Sequence, residues 1–529
     1  MPHAETGYAE IRAALLARQE IALLDVREED PHAQAHPLFA ANFPLSRIET
    51  DAYAKLPRKS VPIVVLDAGE GDAERAADKL LELGYRNVSL LSGGIAGWQS
   101  AGGELFCDVN VPSKAFGELV EAQRHTPSLS AEEVKQLIDC GADIVIVDAR
   151  RFDEYQTMSI PSATSVPGAE LVLRVPTLAP DPETMVIVNC AGRTRSIIGT
   201  QSLVNAGLPN PVAALRNGTI GWTLAGQQLE RGQSRRFGEV HPENRIVAAE
   251  SARRVADRAG VKRAGLEAVN DWRKQIDRST YFFDVRTAEE FAAGHLPGFR
   301  HMAGGQLVQE TEMVAPVRGG RIVLSDSDGV RANMTASWLA QMGWEVYVVD
   351  GLAAQDFSAV GNQPDQLPPL APFASISAQE LATLQQEGQS VAVIDLSTST
   401  NYRRGHIPGA WFALRSQLDK AVANIPSAGR YVLTCANGQL APFAVAELSR
   451  YVNAPINALS GGNSAWEKAG LPLESGPERM ASPPIDRYRR PYEGTDNPRE
   501  AMQGYLDWEF GLVEQLRRDG THGFQVLGD

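Results

Sequence analysis

The stretch DIVIVDARR (residues 143–151) is a short apolar run that ends in Asp148-Ala-Arg150, and its pattern occurs four times in the chain. Each copy is an apolar run closed by an aspartate, and three of the four continue as Asp-x-Arg. The other copies are IALLDVRE (21–28), TYFFDVRT (280–287) and VAVIDLST (391–398). The four aspartates are 123, 136 and 111 residues apart. Repetition at this interval indicates tandem domains of one fold.

Two further markers follow each aspartate in the same order. The first is a second apolar run, and the residue after it stands 42 residues from the aspartate in three copies and 40 in the fourth. That residue is Asp67, Cys190, Asp326 or Cys435. The second marker is a turn with the start of a helix: LLSGGIAGW (90–98), ALRNGTIGW (214–222), VVDGLAAQ (348–355) and ALSGGNSAW (458–466). We expect the tryptophan in this column, such as Trp222, to lie in the core.

Each copy alternates apolar strands with helical stretches. Continuous apolar strands are typical of a parallel sheet that is covered by helices on both faces, so the predicted class is α/β. Ligands bind such sheets beyond the carboxyl ends of the strands. The loop after the second apolar run, which begins at Cys190 in the second copy, is therefore the expected place for chemistry. The Asp-x-Arg pair recurs in copies that lack a cysteine, which favours a structural ion pair.

Composition excludes several classes of function. The net charge of −15 argues against nucleic-acid binding, which depends on clustered Lys and Arg. No segment approaches the roughly 18 apolar residues of a membrane span, and the first residues lack the apolar core of a secretory signal. The four cysteines, Cys107, Cys140, Cys190 and Cys435, form no CxxC pair, so we expect neither a disulfide framework nor a zinc site. A cytoplasmic protein without metal or other cofactor is expected.

The loop that starts at Cys190 combines a nucleophile with features that bind anions. It reads Cys190-Ala-Gly-Arg193-Thr-Arg195-Ser, and a helical stretch follows. Successive loop amides and a helix N-terminus stabilise anions, and two arginines add positive charge. A cysteine reacts as its thiolate, which such surroundings favour. We therefore predict Cys190 and Arg195 as catalytic, and a binding cradle formed by Ala191, Gly192, Arg193, Thr194 and Ser196.

These motifs, together with the GHLPG (294–298) and GHIPGA (405–410) turns, resemble the rhodanese family as far as about residue 475. The four-copy arrangement is similar to bacterial multidomain rhodanese-like proteins. The resemblance implies a sulfurtransferase that moves a sulfane sulfur from thiosulfate or a related donor anion to a thiophilic acceptor, through a persulfide on Cys190. The acceptor is a thiol, cyanide or a protein. Two alternatives stay open: a persulfide carrier or scaffold that receives sulfur from a partner enzyme, and a phosphatase or arsenate reductase. Cysteine phosphatases have Cys-x5-Arg, one residue longer than the loop of Cys190.

The predicted organisation is four tandem rhodanese-like domains and a C-terminal tail. Segments near 105–127, 231–250 and 359–375 are polar or rich in Pro and Gly and are expected to be linkers. We expect the tail helix to begin at Pro498 and to dock on the protein itself, with a homodimer or partner contact as the alternative. We also expect the loop of Cys190 to lie against the first domain. The domain boundaries are 1–110, 125–235, 255–365, 373–475 and, for the tail, 476–529.

The remaining copies depart from this loop. Asp67 and Asp326 cannot form a persulfide, and their charge would repel an anionic donor, so domains one and three are expected to be inactive structural partners. The loop of Cys435 contains no basic residue. Cys435 is therefore either a secondary sulfur carrier or, as we favour, part of a degenerate site. His295 and His406 are expected to serve as turn residues, and Cys107 and Cys140 as bystanders.

Overall fold

A computed structural model describes residues 3–362 and 366–528. Pro364, in the third predicted linker, lies outside the described residues. The rest of the chain forms four repeats, which we call units one to four, each built on its own β-sheet. The predicted class, parallel α/β sheets flanked by helices with a helical C-terminal tail, is confirmed.

Strands and helices alternate along units one and two. Unit one contains β1 (Ala4–Thr6), α1 (Tyr8–Leu16), β2 (Ile21–Asp25), α2 (Glu29–Gln34), β3 (Ala41–Asn42), α3 (Ile48–Lys55), β4 (Ile63–Leu66), α4 (Asp72–Glu82), β5 (Val88–Leu91) and α5 (Gly94–Ser100). Helix α6 (Val111–Arg124) connects it to unit two. Unit two contains β6 (Ser128–Leu129), α7 (Ala131–Asp139), β7 (Ile144–Asp148), α8 (Phe152–Thr157), β8 (Thr164–Ser165), α9 (Leu171–Leu178), β9 (Met185–Asn189), α10 (Thr194–Ala206), β10 (Val212–Leu215) and α11 (Gly218–Leu224).

Helix α12 (Pro242–Arg258) leads into unit three. Unit three contains β11 (Lys262–Ala264), α13 (Leu266–Lys274), β12 (Thr280–Asp284), α14 (Ala288–Ala293), β13 (Arg300–His301), α15 (Gly304–Gln309), α16 (Thr311–Val314), β14 (Val317–Arg318), β15 (Arg321–Ser325), α17 (Arg331–Gln341) and β16 (Glu345–Val349). Unit four contains β17 (Ser375–Ile376), α18 (Ala378–Gln386), β18 (Val391–Asp395), α19 (Ser399–Arg404), β19 (Trp411–Phe412), α20 (Leu418–Ala423), β20 (Arg430–Thr434), α21 (Ala441–Leu448), β21 (Ile456–Leu459) and α22 (Gly462–Lys468). The tail carries α23 (Arg499–Asp519). Short 3-10 turns lie at Leu45–Arg47, Gly168–Glu170, Ala354–Asp356 and Arg415–Gln417.

The four sheets have one topology. In unit two the strand order is β6-β10-β9-β7-β8, and all the pairs are parallel. Units three and four repeat this order. Unit one has β3 beside β2 in the same way, and in addition β14 of unit three pairs with the start of β2 in the antiparallel direction. Val317 is opposite Ala22 in this pair, so unit three completes the first sheet.

The units pack in two pairs, through the short helical turn that follows the third strand of each sheet. Units one and four meet where Arg415 forms ion pairs with Glu49 and Glu447. Units two and three meet where Gly168 and Gly305 are so close that a Cβ on Gly305 would lie 3.3 Å from the Gly168 nitrogen. Close backbone approach of this kind needs residues without a side chain.

The first predicted linker contains a helix, because residues 111–124 form α6, and most of this helix is buried. It packs against α10 and α23. The second predicted linker likewise includes the start of α12. The expectation that the tail helix docks on the protein is confirmed, although the helix begins at Arg499 and Pro498 is its N-cap. Its apolar stripe lies inside the molecule because Leu512 and Leu516 are buried in the core that units one and three share.

Candidate active site

Cys190 lies at the carboxyl end of β9, the central strand of the second sheet, where the loop to α10 begins. Only 1% of its surface is exposed. Its Sγ donates a hydrogen bond of 3.3 Å to Ser196 Oγ, which in turn donates to the Arg193 carbonyl at 2.8 Å. The loop thus closes on itself around the sulfur.

The Asp-x-Arg motif supports this loop from the neighbouring strand and does not enter it. Arg150 donates to both carboxylate oxygens of Asp148, at 2.9 and 2.7 Å, and also to the Met158 carbonyl at 2.6 Å. Both side chains are buried, and Asn189 donates to the same carboxylate at 2.8 Å. Units one and three contain the same pair, Asp25–Arg27 and Asp284–Arg286. The predicted structural role is therefore confirmed.

The other residues of the repeat pattern are also structural. The three tryptophans of the turn column are fully buried, and each ring nitrogen donates to a backbone carbonyl. His295 and His406 are buried, bonded to a carbonyl and stacked on Phe291 and Tyr402 respectively. These observations confirm the predicted core and turn roles.

Burial makes the thiol the resting form of Cys190. It raises the pKa of the thiol above its usual value, against the opposing effects of the Arg195 charge and of hydrogen bonds from Ser196. The sequence led us to expect surroundings that favour the thiolate. The difference arises because the sulfur is buried, so that desolvation outweighs the loop donors.

Arg195 is the cation that acts on Cys190. Its guanidinium forms two bonds with the carboxylate of Glu154 on α8, at 3.0 and 2.8 Å. Burial alone would raise the pKa of Glu154, but Arg195 outweighs it and lowers the value to about 2. Glu154 therefore stays ionised and holds the guanidinium in place.

The guanidinium of Arg193 is paired with carboxylates of α6. Its guanidinium donates to Glu118 on α6 at 2.7 and 2.9 Å and also contacts Glu121. A further bond of 3.1 Å goes to Asn217. Arg193 is thus paired with two carboxylates and ties the loop to α6. Arg195 is paired with one carboxylate, and its charge is the one that lowers the pKa of Cys190.

Two glycines let other chain segments approach the loop closely. A Cβ on Gly192 would lie 3.0 Å from the Tyr505 ring and 3.3 Å from Glu509 Oε2, so α23 rests directly on the loop. A Cβ on Gly218 would lie 2.3 Å from the Cys190 carbonyl oxygen, and Gly218 also has a positive φ of 53°. Glycine is required at this position on both grounds.

Cys190 lines a small chamber of about 20 Å³. The predicted cradle residues from Ala191 to Arg195 line it together with Cys190, and Ser196 acts through its bond to the sulfur. A larger cavity of about 500 Å³ lies next to it and shares Arg195, Gln309 and Tyr492. The remaining walls of the chamber come from α6, the end of α15 and the tail: Ser113, Lys114, Gln309, Tyr492, Tyr505 and Glu509.

The expectation that domain one, residues 1–110, covers this loop is therefore wrong. The long helix α6 and the tail occupy that place. The prediction failed because these contacts join segments that are distant in the sequence, and local sequence patterns do not reveal them. One signal was present in the sequence. Glu509 falls within the apolar stripe of α23, four residues after Tyr505, and a carboxyl group in such a stripe indicates a buried polar site.

In units one and three, an aspartate carboxylate accepts hydrogen bonds from backbone amides of its own loop. Asp67 takes the position of Cys190, and its carboxylate accepts from the amides of Gly69, Gly71 and Ala73 at 3.0–3.1 Å. Asp326 accepts from Gly329 and Ala332 at 3.0 and 2.8 Å. In both units the side chain fills the cradle that would otherwise receive an anion.

Cys435 is buried in unit four but has no cation from its loop. Burial raises the pKa of its thiol, and the amides of Ala441, Leu440 and Gly438 oppose this. Leu440 stands where Arg195 stands in unit two.

Cys107 and Cys140 are both exposed. In the described part of the chain, no group of three or more His, Cys, Asp or Glu side chains is placed to hold a metal ion. Residues 3–362 and 366–528 also contain no helix that is long and apolar enough to cross a membrane.

Comparison with known proteins identifies the repeats. The rhodanese-like domain family matches residues 9–101, 130–225, 268–352 and 377–469. A crystal structure described as thiosulfate sulfurtransferase from Pseudomonas aeruginosa is 65% identical, with a TM-score of 0.97, and the match covers 99% of this chain and 100% of that one. An uncharacterized Escherichia coli K12 protein, YibN, is 26% identical over 85 residues, which is 16% of this chain. The chain spans 59% of the length of that curated relative.

Proposed function

The chain belongs to the rhodanese-like domain family, and from that premise we propose that this sulfurtransferase takes a sulfane sulfur from thiosulfate onto Cys190 of unit two. The observation that carries this proposal is the Cys190 loop itself. It combines a nucleophilic sulfur, an adjacent guanidinium and a small chamber. Among the four equivalent loops it alone has both Cys and Arg at the two positions.

The proposed reaction proceeds in two displacements at sulfur. Cys190 releases its proton to solvent, and the thiolate attacks the outer sulfur of thiosulfate. A bond forms between Sγ and that sulfur, the sulfur–sulfur bond of the donor breaks, and sulfite leaves with the electron pair. A thiophilic acceptor such as cyanide or a thiolate then attacks the terminal sulfur of the persulfide. The Cys190 thiolate leaves with the electron pair and is ready for another cycle.

Arg195 supports both displacements through its charge. It lowers the pKa of Cys190 against the effect of burial, and it lines both the chamber and the larger neighbouring cavity. A guanidinium in that position attracts a dianionic donor and stabilises the departing sulfite. Glu154 holds the two guanidinium nitrogens of Arg195 in place, so the Arg195 side chain needs little reorganisation when the donor arrives.

Units one and three serve as structural partners in this proposal. Their carboxylates occupy the cradles that would bind an anion, and β14 of unit three completes the sheet of unit one. Unit three also contributes Gln309 to the chamber of Cys190. We propose that these units shape the site of unit two and do not turn over a donor themselves.

The proposal is tested by the mass of the intact protein after exposure to thiosulfate. We expect a gain of one sulfur atom, lost again on addition of cyanide, in the native protein and in Cys435→Ser. We expect no gain in Cys190→Ser. A sulfur that remains on the Cys190→Ser protein would contradict the assignment. A protein that gains sulfur at Cys190 from a persulfide donor but never from thiosulfate would indicate a carrier instead.

A further inference from the structure

Glu509 is a buried carboxyl group placed at the loop of Cys190 by the C-terminal helix. Its exposed surface is 0%, and its Oε2 lies 3.3 Å from where a Cβ of Gly192 would stand. Both Glu509 and Cys190 line the small chamber. A glutamate is seldom fully buried unless it is paired, so this position needs an explanation.

The groups around Glu509 leave one of its oxygens without a partner. Oε1 accepts a hydrogen bond of 2.9 Å from the Tyr505 hydroxyl. Within the described residues Oε2 has no hydrogen-bond partner. A buried oxygen without a partner carries a cost in stability, which suggests that a group present during the reaction supplies the missing bond.

The charged neighbours of Glu509 are committed elsewhere. Lys114 of α6 forms an ion pair with Asp108 at 2.7 Å, and Arg193 of the loop is paired with Glu118 of α6. Burial raises the pKa of Glu509 to about 8, the Glu118 charge adds to this, and Lys114, Tyr505 and Arg193 oppose it. Cys190 faces it as well, and an anion on that sulfur would raise the pKa of Glu509 further. At neutral pH the carboxyl group is therefore un-ionised, and an un-ionised carboxyl group is a hydrogen-bond donor.

The size of the chamber limits what this donor can meet. A volume of about 20 Å³ holds roughly one water-sized atom. Thiosulfate has five heavy atoms and must reach Cys190 from the larger cavity, with some displacement of the walls. One additional sulfur on Sγ matches the volume that is present.

On the basis of the proposed function, we infer that Glu509, as a carboxylic acid, donates a hydrogen bond to the terminal sulfur of the Cys190 persulfide. That sulfur carries a negative charge, which resists attack by an anionic acceptor. A hydrogen bond from Oε2 withdraws electron density from it and makes it a better electrophile. When the acceptor attacks, the bond between Sγ and the terminal sulfur breaks, and the Cys190 thiolate leaves. The proton stays on Glu509, so the residue is unchanged by the cycle. A carboxylic acid kept un-ionised by an apolar site is a known device for donating a hydrogen bond to a developing anion.

The test starts from protein that has been loaded with thiosulfate and freed of excess donor. Its single-turnover transfer to cyanide is followed from roughly two pH units below the pKa of Glu509 to two above it. The variants are Glu509→Gln, which keeps a donor but cannot ionise, and Glu514→Gln, a matched control on the exposed face of the same helix. Ionisation of cyanide is common to all proteins, so the ratio of variant rate to native rate isolates the enzyme group.

We expect the native rate to fall, relative to Glu509→Gln, by about tenfold for each pH unit above that ionisation. Glu514→Gln should follow the native protein at every pH. Tyr505→Phe removes a hydrogen bond that favours the ionised carboxylate, so the fall should move to higher pH. The infrared difference spectrum between the native protein and Glu509→Gln should contain the carbonyl band of one un-ionised carboxyl group.

A constant ratio of Glu509→Gln to native rate across this range would overturn the inference and leave the proposed function standing. Failure of the native protein to gain sulfur at Cys190 would overturn both. A faster transfer by Glu509→Gln at neutral pH, with no change in pH dependence, would show that Glu509 is ionised and also refute its role as a donor.

Discussion

The loops that begin at Cys190 and Cys435 have the same place in the fold and different surroundings. Each cysteine follows the central strand of its sheet, is buried, and precedes a helix. Five residues on, unit two has Arg195 and unit four has Leu440. The helix that supplies Glu154 to Arg195 has Asn401 at the corresponding position in unit four.

Under the proposed function, this difference means that a nucleophile in the right fold is only part of an active site. In both loops burial raises the pKa of the thiol. In unit two a guanidinium opposes it, while in unit four only loop amides do. Unit two also has α6 and α23 against its loop. The loop of Cys190 thus combines the positive charge with walls from α6 and α23, and we expect its reactivity to depend on both.

Replacement of Cys190 by serine should give the largest effect, and the same replacement at Cys435 provides the comparison. Cys190→Ser should reduce thiosulfate:cyanide turnover by about a thousandfold or more, because a serine hydroxyl at neutral pH cannot replace the thiolate. Cys435→Ser should retain most of the native kcat/KM. The measurement is steady-state kinetics of both variants. Comparable losses in the two variants would erase the distinction between the loops.

Removal of the loop cation should give the next largest effect. Arg195→Ala should lower kcat/KM for thiosulfate by about 10- to 100-fold, because the donor and the thiolate both lose their counter-charge. Since Arg195 lowers the pKa of Cys190, its loss should move the pH profile of Cys190 alkylation to higher pH. Arg195→Lys should recover part of the activity because it restores the charge without the planar fork. Arg216→Ala, which removes an exposed arginine of the same unit bonded to Ser128, serves as the control. Unchanged kinetics in Arg195→Ala would mean that the loop amides alone stabilise the donor and the thiolate.

Transfer of the cation to unit four should give a smaller effect in the opposite direction. In a Cys190→Ser background, Leu440→Arg should increase the rate of Cys435 alkylation at neutral pH by up to about tenfold. The reason is that a nearby positive charge favours the thiolate. Leu440→Gln, which adds polarity without charge, is the matched control. Equal rates in the two variants would mean that the chain around Leu440 does not direct the guanidinium toward the sulfur.

Removal of the Asp67 carboxylate, which fills the amide cradle of unit one, should have the smallest effect on the reaction. Asp67→Ala leaves three loop amides without their acceptor, at a local cost of about 1–3 kcal/mol. Hydrogen exchange should speed up at Gly69, Gly71 and Ala73, while turnover at Cys190 stays near the native value. Glu70→Ala, which removes an exposed acceptor of a single amide, should change exchange less. A large loss of turnover in Asp67→Ala would show that unit one affects the chemistry directly.

Sequence patterns predicted the repeat and the strand ends, and failed at contacts between distant segments. The Asp148–Arg150 pair and the core position of Trp222 could be predicted because equivalent residues recur in the same order in three of the four units. The partners of the arginines could not be predicted. Arg193, for example, pairs with Glu118 of α6, and the sequence of this helix is typical of a polar linker. The walls of the chamber were missed for the same reason: Tyr505 and Glu509 lie more than three hundred residues after the cysteine they cover.

The pairing of β14 with β2 and the course of the tail bear on how the chain is made. Synthesis proceeds from the N-terminus, so the first sheet emerges long before Val317 and Arg318 exist to complete its edge. Phe524 is later still, yet its ring lies 6.2 Å from Phe39 and 5.4 Å from Phe116. The packing around Phe39 and Phe116 is therefore complete only after Phe524 has left the ribosome. The walls of the Cys190 chamber are also late, because Tyr505 and Glu509 belong to the same tail. Under the proposed function, we expect a chain that stops before Tyr505 to lack the complete site for sulfur transfer.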